Sequence, residues 1–127
     1  MNGMPQNRRL YNQALEIIKL SRSISGYLIY DLAKLDEKGN EQNAIYFTGD
    51  MVMHSDALAP GIIAAESEVF QDDRIRQALS LEHITHKLLK TCERLERAES
   101  NGRDFLKLLR KELKKFKRLQ QKWVLTL

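Results

Sequence analysis

Cysteine, proline, glycine and tryptophan are all scarce in this 127-residue chain, with one, two, six and one copies respectively. The lone Cys92 cannot close an internal disulfide, which excludes a stapled secreted scaffold and points to a reducing cytoplasm. With so few glycines and prolines, the punctuation that strands and tight turns require is missing. No stretch approaches the ~20 apolar residues of a membrane span. The first 30 residues hold no apolar core followed by a small-residue cleavage site, so neither export nor insertion is expected.

Helix formers fill the space. Leu, Lys, Arg, Glu, Ala and Ile dominate, and the length suits one cooperative unit with a real core, so an all-α single domain over residues 1–127 is expected. The net charge of +4 is unevenly distributed. Residues 103–127 carry nine basic side chains against Asp104 and Glu112, a local +7, which leaves −3 for the rest of the chain.

Apolar periodicity predicts four long helices. The first begins near Pro5–Asn7, with Asn as a cap, and runs to about Leu35 with Leu10, Ala14, Ile17, Ile18, Ile24 and Leu28 in its stripe and Ser21 filling one slot. Residues 36–40 supply a turn. The second helix, roughly 42–70, carries Ala44, Phe47, Met51, Leu58, Ile62, Ala65 and Val69, with His54 in the missing slot. Its apolar phase survives Pro60, which predicts one rod kinked there, with two shorter helices as the alternative. The third runs from the acidic Gln71–Asp72–Asp73 start to about Glu99 through Ile75, Ala78, Leu79, Leu81, Leu88, Leu89, Cys92 and Leu95. Ser100–Asn101–Gly102 is its stop, with Gly as the left-handed residue. Asp104 is a candidate cap for the fourth helix, whose apolar side is Phe105, Leu109, Leu113, Phe116, Leu119 and Trp123. Four rods with short connections make an antiparallel up-down-up-down bundle the economical packing.

Signals for catalysis are sparse. His83 and His86 with Glu82 and a distant His54 could ligate a metal, but no Glu stands three residues before any histidine, as a di-iron bundle requires. One cysteine excludes a thiolate zinc cluster. Neither metal nor cofactor is expected. Cys92 and Ser55 lack a base in sequence and read as small residues at helix contacts. Phe116 and Trp123 read as core; only an exposed Trp123 would serve as a base-stacking platform. Arg76 and His83, with six residues between them, resemble the Arg-to-His spacing of the HEPN family of small helical ribonucleases, which implies a phosphate clamp and a general acid or base in one cleft. That family places Asn, Asp or His after the arginine, whereas Gln77 follows here, so a HEPN-like ribonuclease is a minor alternative to a chain that is not an enzyme.

The basic last helix carries the main functional expectation. Lys107, Lys111, Lys114, Arg118 and Lys122 fall on one helical line, flanked by Arg110 and Lys117, and Lys115 is expected to join them as a phosphate-facing cation. Lys87, Lys90, Arg94 and Arg97 on the third helix would widen the ridge, diluted by Glu93, Glu96 and Glu99. Such a ridge suits salt-sensitive, largely sequence-independent binding of RNA or DNA; a solubilising face or one docking an acidic partner is the alternative. The length, the stretch Phe47–Thr48–Gly49–Asp50–Met51–Val52, the run Ala57–Leu58–Ala59–Pro60–Gly61–Ile62–Ile63–Ala64–Ala65–Glu66 and the basic helix ending near Trp123 together resemble a bacterial family of short four-helix bundles. Its members are proteins of ribosomal-RNA intervening sequences and accessory variability determinants of diversity-generating retroelements. Pro60, and the absence of a Gly-Gly before Trp123, depart from that pattern. The resemblance implies a homo-oligomeric ring, often a pentamer, whose basic surface engages nucleic acid and a reverse transcriptase.

Overall fold

The structure, a computed structural model, describes residues 5–32, 44–97 and 102–127, and within them regular structure is entirely helical. The helices are α1 (Arg8–Leu32), α2 (Ala44–Asp56), α3 (Leu58–Ser67), α4 (Gln71–Arg97) and α5 (Arg103–Val124). Leu35, the turn at 36–40, residues 42–43, Glu99, Ser100 and Asn101 lie outside the described residues. None of the described helices is long and apolar enough to cross a membrane.

The core is written in heptads. Fully buried positions run 10, 14, 17, 21, 24, 28 in α1; 48, 51, 55, 58, 62, 65 through α2 and α3; 78, 81, 85, 88, 92, 95 in α4; and 106, 109, 113, 116, 120, 123 in α5. Alternating steps of three and four keep one narrow seam inward along each rod, the signature of knobs-into-holes bundle packing. Burying each large apolar side chain contributes about 1.5–3 kcal/mol, and Trp123, Phe116 and the leucines supply most of it. Ser21 fills its expected slot, and its hydroxyl meets that of Ser55 at 2.6 Å.

Several expected core positions are corrected by this register. Thr48 is buried where Phe47 was expected, and Ser55, read as a small residue at a helix contact, takes the slot given to His54; Phe47 and His54 are half-buried. A small hydroxyl side chain such as that of Thr48 fits a seam that apolar counting alone assigns to its larger neighbour. Leu79, Val69 and Phe105 are exposed and lie outside the core. Leu79 sits off the 78/81/85 line, Val69 follows the extended Glu68 that ends α3 (φ −69°, ψ 140°), and Phe105 stands beside Leu106, which takes the inward position.

Asn7 caps α1 as expected: its side-chain oxygen accepts from the Leu10 amide at 3.1 Å. Around Pro60 the helical run is interrupted at Ala57, three residues earlier, and Pro60 is the third residue of α3. Within a first turn a missing N–H costs little, since those amides have no partner inside their own helix. The heptad phase crosses Ala57 unbroken. At the start of α5 the capping residue is Gly102 with φ −85°, neither left-handed nor replaced by Asp104, which lies in the first turn and favours the positive end of the helix dipole.

Rod α1 packs against α2 and α5, while α4 packs against α2, α3 and α5. Gln13 donates to Glu112 and Tyr27 stacks obliquely on Phe105, while Arg22 reaches Asp56, and Arg94 of α4 lies 5.4 Å over the Phe47 ring. Glu66 ties one end together. Its carboxylate accepts from the Gln6 amide at 2.9 Å, the Asn7 amide at 3.2 Å and the Trp123 indole N–H at 3.0 Å. Nearby, the Arg74 guanidinium donates to the carbonyls of Glu68, Val69 and Leu127. Gly61 permits the close α3–α4 approach: a Cβ there would stand 2.7 Å from Leu81 Cδ1.

Candidate nucleic-acid interface

Helix α5 separates its surfaces sharply. Its heptad seam turns Leu106, Leu109, Leu113, Phe116, Gln120 and Trp123 inward, which at 100° per residue sends the intervening lysines outward. Lys107, Lys111, Lys114, Lys115, Lys117, Arg118 and Lys122 are exposed, and Arg110 is half-buried. From Lys107 to Lys122 the line extends about 22 Å at 1.5 Å per residue.

Two of the eight candidate cations are spoken for. Arg110 pairs with Glu96 of α4 at 3.3 Å, and Lys115 lies 3.7 Å from Glu112 one turn earlier. Lys107, Lys111, Lys114, Lys117, Arg118 and Lys122 have no carboxylate within 4 Å among the described residues. The α4 contribution is narrower than its spacing suggests. Arg94 is drawn to the Phe47 face of α2, and the residues α4 presents to α5 include Glu96 against Arg110 and Glu82 and His86 beside Lys117. The ridge is therefore built by α5.

A groove runs along each flank of that ridge. Between α1 and α5 lies an open groove of about 660 Å³, lined by Arg9, Gln13, Lys115, Arg118, Leu119, Gln121, Lys122 and Leu125. Arg9 and Gln13 join the cationic surface only because α1 packs beside α5, a tertiary neighbourhood that spacing within one helix does not contain. On the other flank a smaller notch of about 170 Å³ is lined by Glu82, Thr85, His86, Lys117, Gln120 and Gln121. Gln120 is 1% exposed and its Nε2 has no hydrogen-bond partner among the described residues.

The remaining chemical candidates are dispersed. His83 and His86 are exposed on α4 and His54 is half-buried on α2; among the described residues no three His, Cys, Asp or Glu side chains gather closely enough to hold a metal. Arg76 and His83 share the outer face of α4, with the Arg76 guanidinium held by Asp73 at 3.2 Å. Burial pushes the Cys92 thiol up to about 12, with Glu96 adding to the rise and Arg110 opposing it, so the thiol is a core group and not a nucleophile. Trp123, 1% exposed and bonded to Glu66, is unavailable for stacking. No protein-family model matches the chain, and no curated protein or solved structure matches it either.

Proposed function

We propose that the chain is a noncatalytic helical bundle that binds nucleic acid, free or within a ribonucleoprotein, through the outer face of α5. The observation that carries this reading is the set of six exposed cations with no carboxylate neighbour among the described residues, spaced along about 22 Å of a helix whose opposite face is locked in the core. Phosphate oxygens are the complementary partner: each contact releases condensed counterions, and no base-specific group is required.

The reading includes a single domain of antiparallel rods in up-down-up-down order, with α2 and α3 acting as one rod bent near Ala57–Pro60. Contacts of α1 with α5 at Gln13–Glu112 and Tyr27–Phe105, and of α4 with α5 at Glu96–Arg110 and Arg74–Leu127, support that order: as one residue number rises the other falls. It also includes self-association and a cytoplasmic setting, and, through the resemblance to retroelement accessory proteins, a reverse transcriptase as protein partner. A second reading, a protein-docking bundle without a nucleic-acid role, draws on the exposed Tyr27, Phe105 and Leu108 at the α1–α5 seam.

Filter retention of random RNA and duplex DNA at low salt separates the two. The nucleic-acid reading predicts retention of both by the parent chain and its loss in a Lys107→Glu, Lys114→Glu, Arg118→Glu variant of unchanged helicity. Retention unaffected by that triple reversal overturns it, and no retention by the parent chain favours the protein-docking reading.

A further inference from the structure

The groove between α1 and α5 differs from the ridge beside it. Cations stand on both walls, Arg9 from α1 and Lys115, Arg118 and Lys122 from α5, and among the described residues no carboxylate lines the groove itself, Glu112 lying at its rim. Apolar surface from Leu119 and Leu125 lies among those charges, and Leu125 is 88% exposed, a large apolar side chain left uncovered. Two amides, Gln13 and Gln121, complete the lining. Gln13 is pinned: its Nε2 donates to the Glu112 carbonyl at 3.0 Å and the Glu112 carboxylate at 3.3 Å, which assigns its amide orientation and leaves Oε1 as acceptor. Glu112 in turn lies 3.7 Å from Lys115, so one carboxylate organises both an amide and a cation at the rim.

Such a lining asks for more than a phosphate. A duplex offers a protein its charged backbone and keeps the flat faces of its bases stacked inside, so it would leave Leu119, Leu125 and the amides unmatched. A single strand carries both parts in one ligand: phosphates for the two cationic walls and an unstacked base whose face lies on apolar surface and whose edge meets amides. The volume, about 660 Å³, falls within the ~300–1,000 Å³ range of small-ligand sites.

We propose that the α1–α5 groove receives one unpaired nucleotide of a single-stranded segment, base against Leu119 and Leu125 and edge toward Gln13, with flanking phosphates on Arg9, Arg118 and Lys122. The proposal rests on the nucleic-acid reading of α5 and sharpens it: the bundle discriminates single strands from duplexes, and α1 takes part in binding.

Fluorescence anisotropy with a labelled mixed-sequence strand of about 20 nucleotides, and with the duplex it forms with its complement, tests this on the full chain. The parent is expected to bind the strand about tenfold more tightly than the duplex. Leu125→Ser and Gln13→Ala, both at positions outside the heptad seam, should each reduce that preference to about threefold or less while leaving duplex affinity within about twofold of the parent, with circular dichroism confirming unchanged helicity. Equal affinity for strand and duplex overturns the groove proposal and leaves the α5 reading standing. A strand preference unmoved by both variants overturns it too, because the selectivity then resides elsewhere. Binding of neither probe at low salt overturns both the groove and the α5 reading.

Discussion

Replacing Glu66 by alanine removes one carboxylate and strands three donors from separate parts of the chain. The Gln6 amide is exposed and turns to water; the Asn7 amide and the Trp123 indole N–H, both in part-buried bonds, lose a charged acceptor. Hydrogen bonds to charged groups contribute about 1.5–3 kcal/mol each, and a buried donor left alone costs about 1–3 kcal/mol. Discounting for the half-buried position of Glu66, the expected loss is about 2–4 kcal/mol, a large share of the stability of a small domain. Trp123 is the sole tryptophan, so its fluorescence during urea unfolding reports directly on the site. A cycle with Trp123→Phe, followed by circular dichroism, isolates the indole–carboxylate pair, with a coupling of about 1–2 kcal/mol expected. A Glu66→Ala cost below about 0.5 kcal/mol, or a coupling indistinguishable from zero, refutes the assignment of Glu66 as the tie between the start of α1, α3 and the end of α5.

Three further outcomes follow from the same contacts. Cys92, with its thiol raised from 9.0 to about 12, should be silent toward a thiol reagent at pH 8 until the chain is unfolded. Because its folded value lies above the unfolded one, the stability it contributes is intact below pH 9 and declines as pH rises from 9 toward 12; a native-state reaction at the rate of a free thiol contradicts this. Gly61→Leu should cost about 1–3 kcal/mol in urea unfolding, since a Cβ already meets the buried Leu81 side chain, and a neutral result would mean that Leu81 turns aside to make room. Gln120→Leu should be neutral or stabilising by about 1 kcal/mol in thermal unfolding, because it removes a buried N–H that has no partner among the described residues; a clear loss points to a bound partner in the notch.

Much of this architecture was legible in the residues, because a heptad seam announces itself through leucine and isoleucine alone. The stripe of α1, most of those of α4 and α5, the Asn7 cap and Ser21 as the odd slot were readable by counting threes and fours, whereas Leu79 and Phe105 stand outside the stripes they were given and Thr85, Leu106 and Gln120 fill seam positions that went unread. Most of what escaped is polar or depends on neighbours. Thr48 takes a seam position that apolar counting gave to Phe47, and the helix contact expected of Ser55 is made by the Ser21 hydroxyl of another helix. Gly102 caps α5 although Asp104 has the better capping side chain, because the cap is set by where the backbone enters the helix. The basic line of α5 was visible in full, since same-face residues are a property of one helix. Which neighbour flanks it was not: α4 turns Glu82, His86 and Glu96 to α5, whereas Arg9 and Gln13 reach the surface from α1, more than ninety residues away in sequence.

The slope of binding against salt measures the ridge most directly. If the six cations with no carboxylate neighbour among the described residues each meet a phosphate of duplex DNA, log K should fall with log salt at a slope of about −5, which is about a thousandfold between roughly 50 and 200 mM. Neutralising Lys107, Lys114 and Arg118 to glutamine should bring the slope to between about −2 and −3. A parent slope shallower than about −1, or one that the triple glutamine variant leaves unchanged, would contradict phosphate binding by α5.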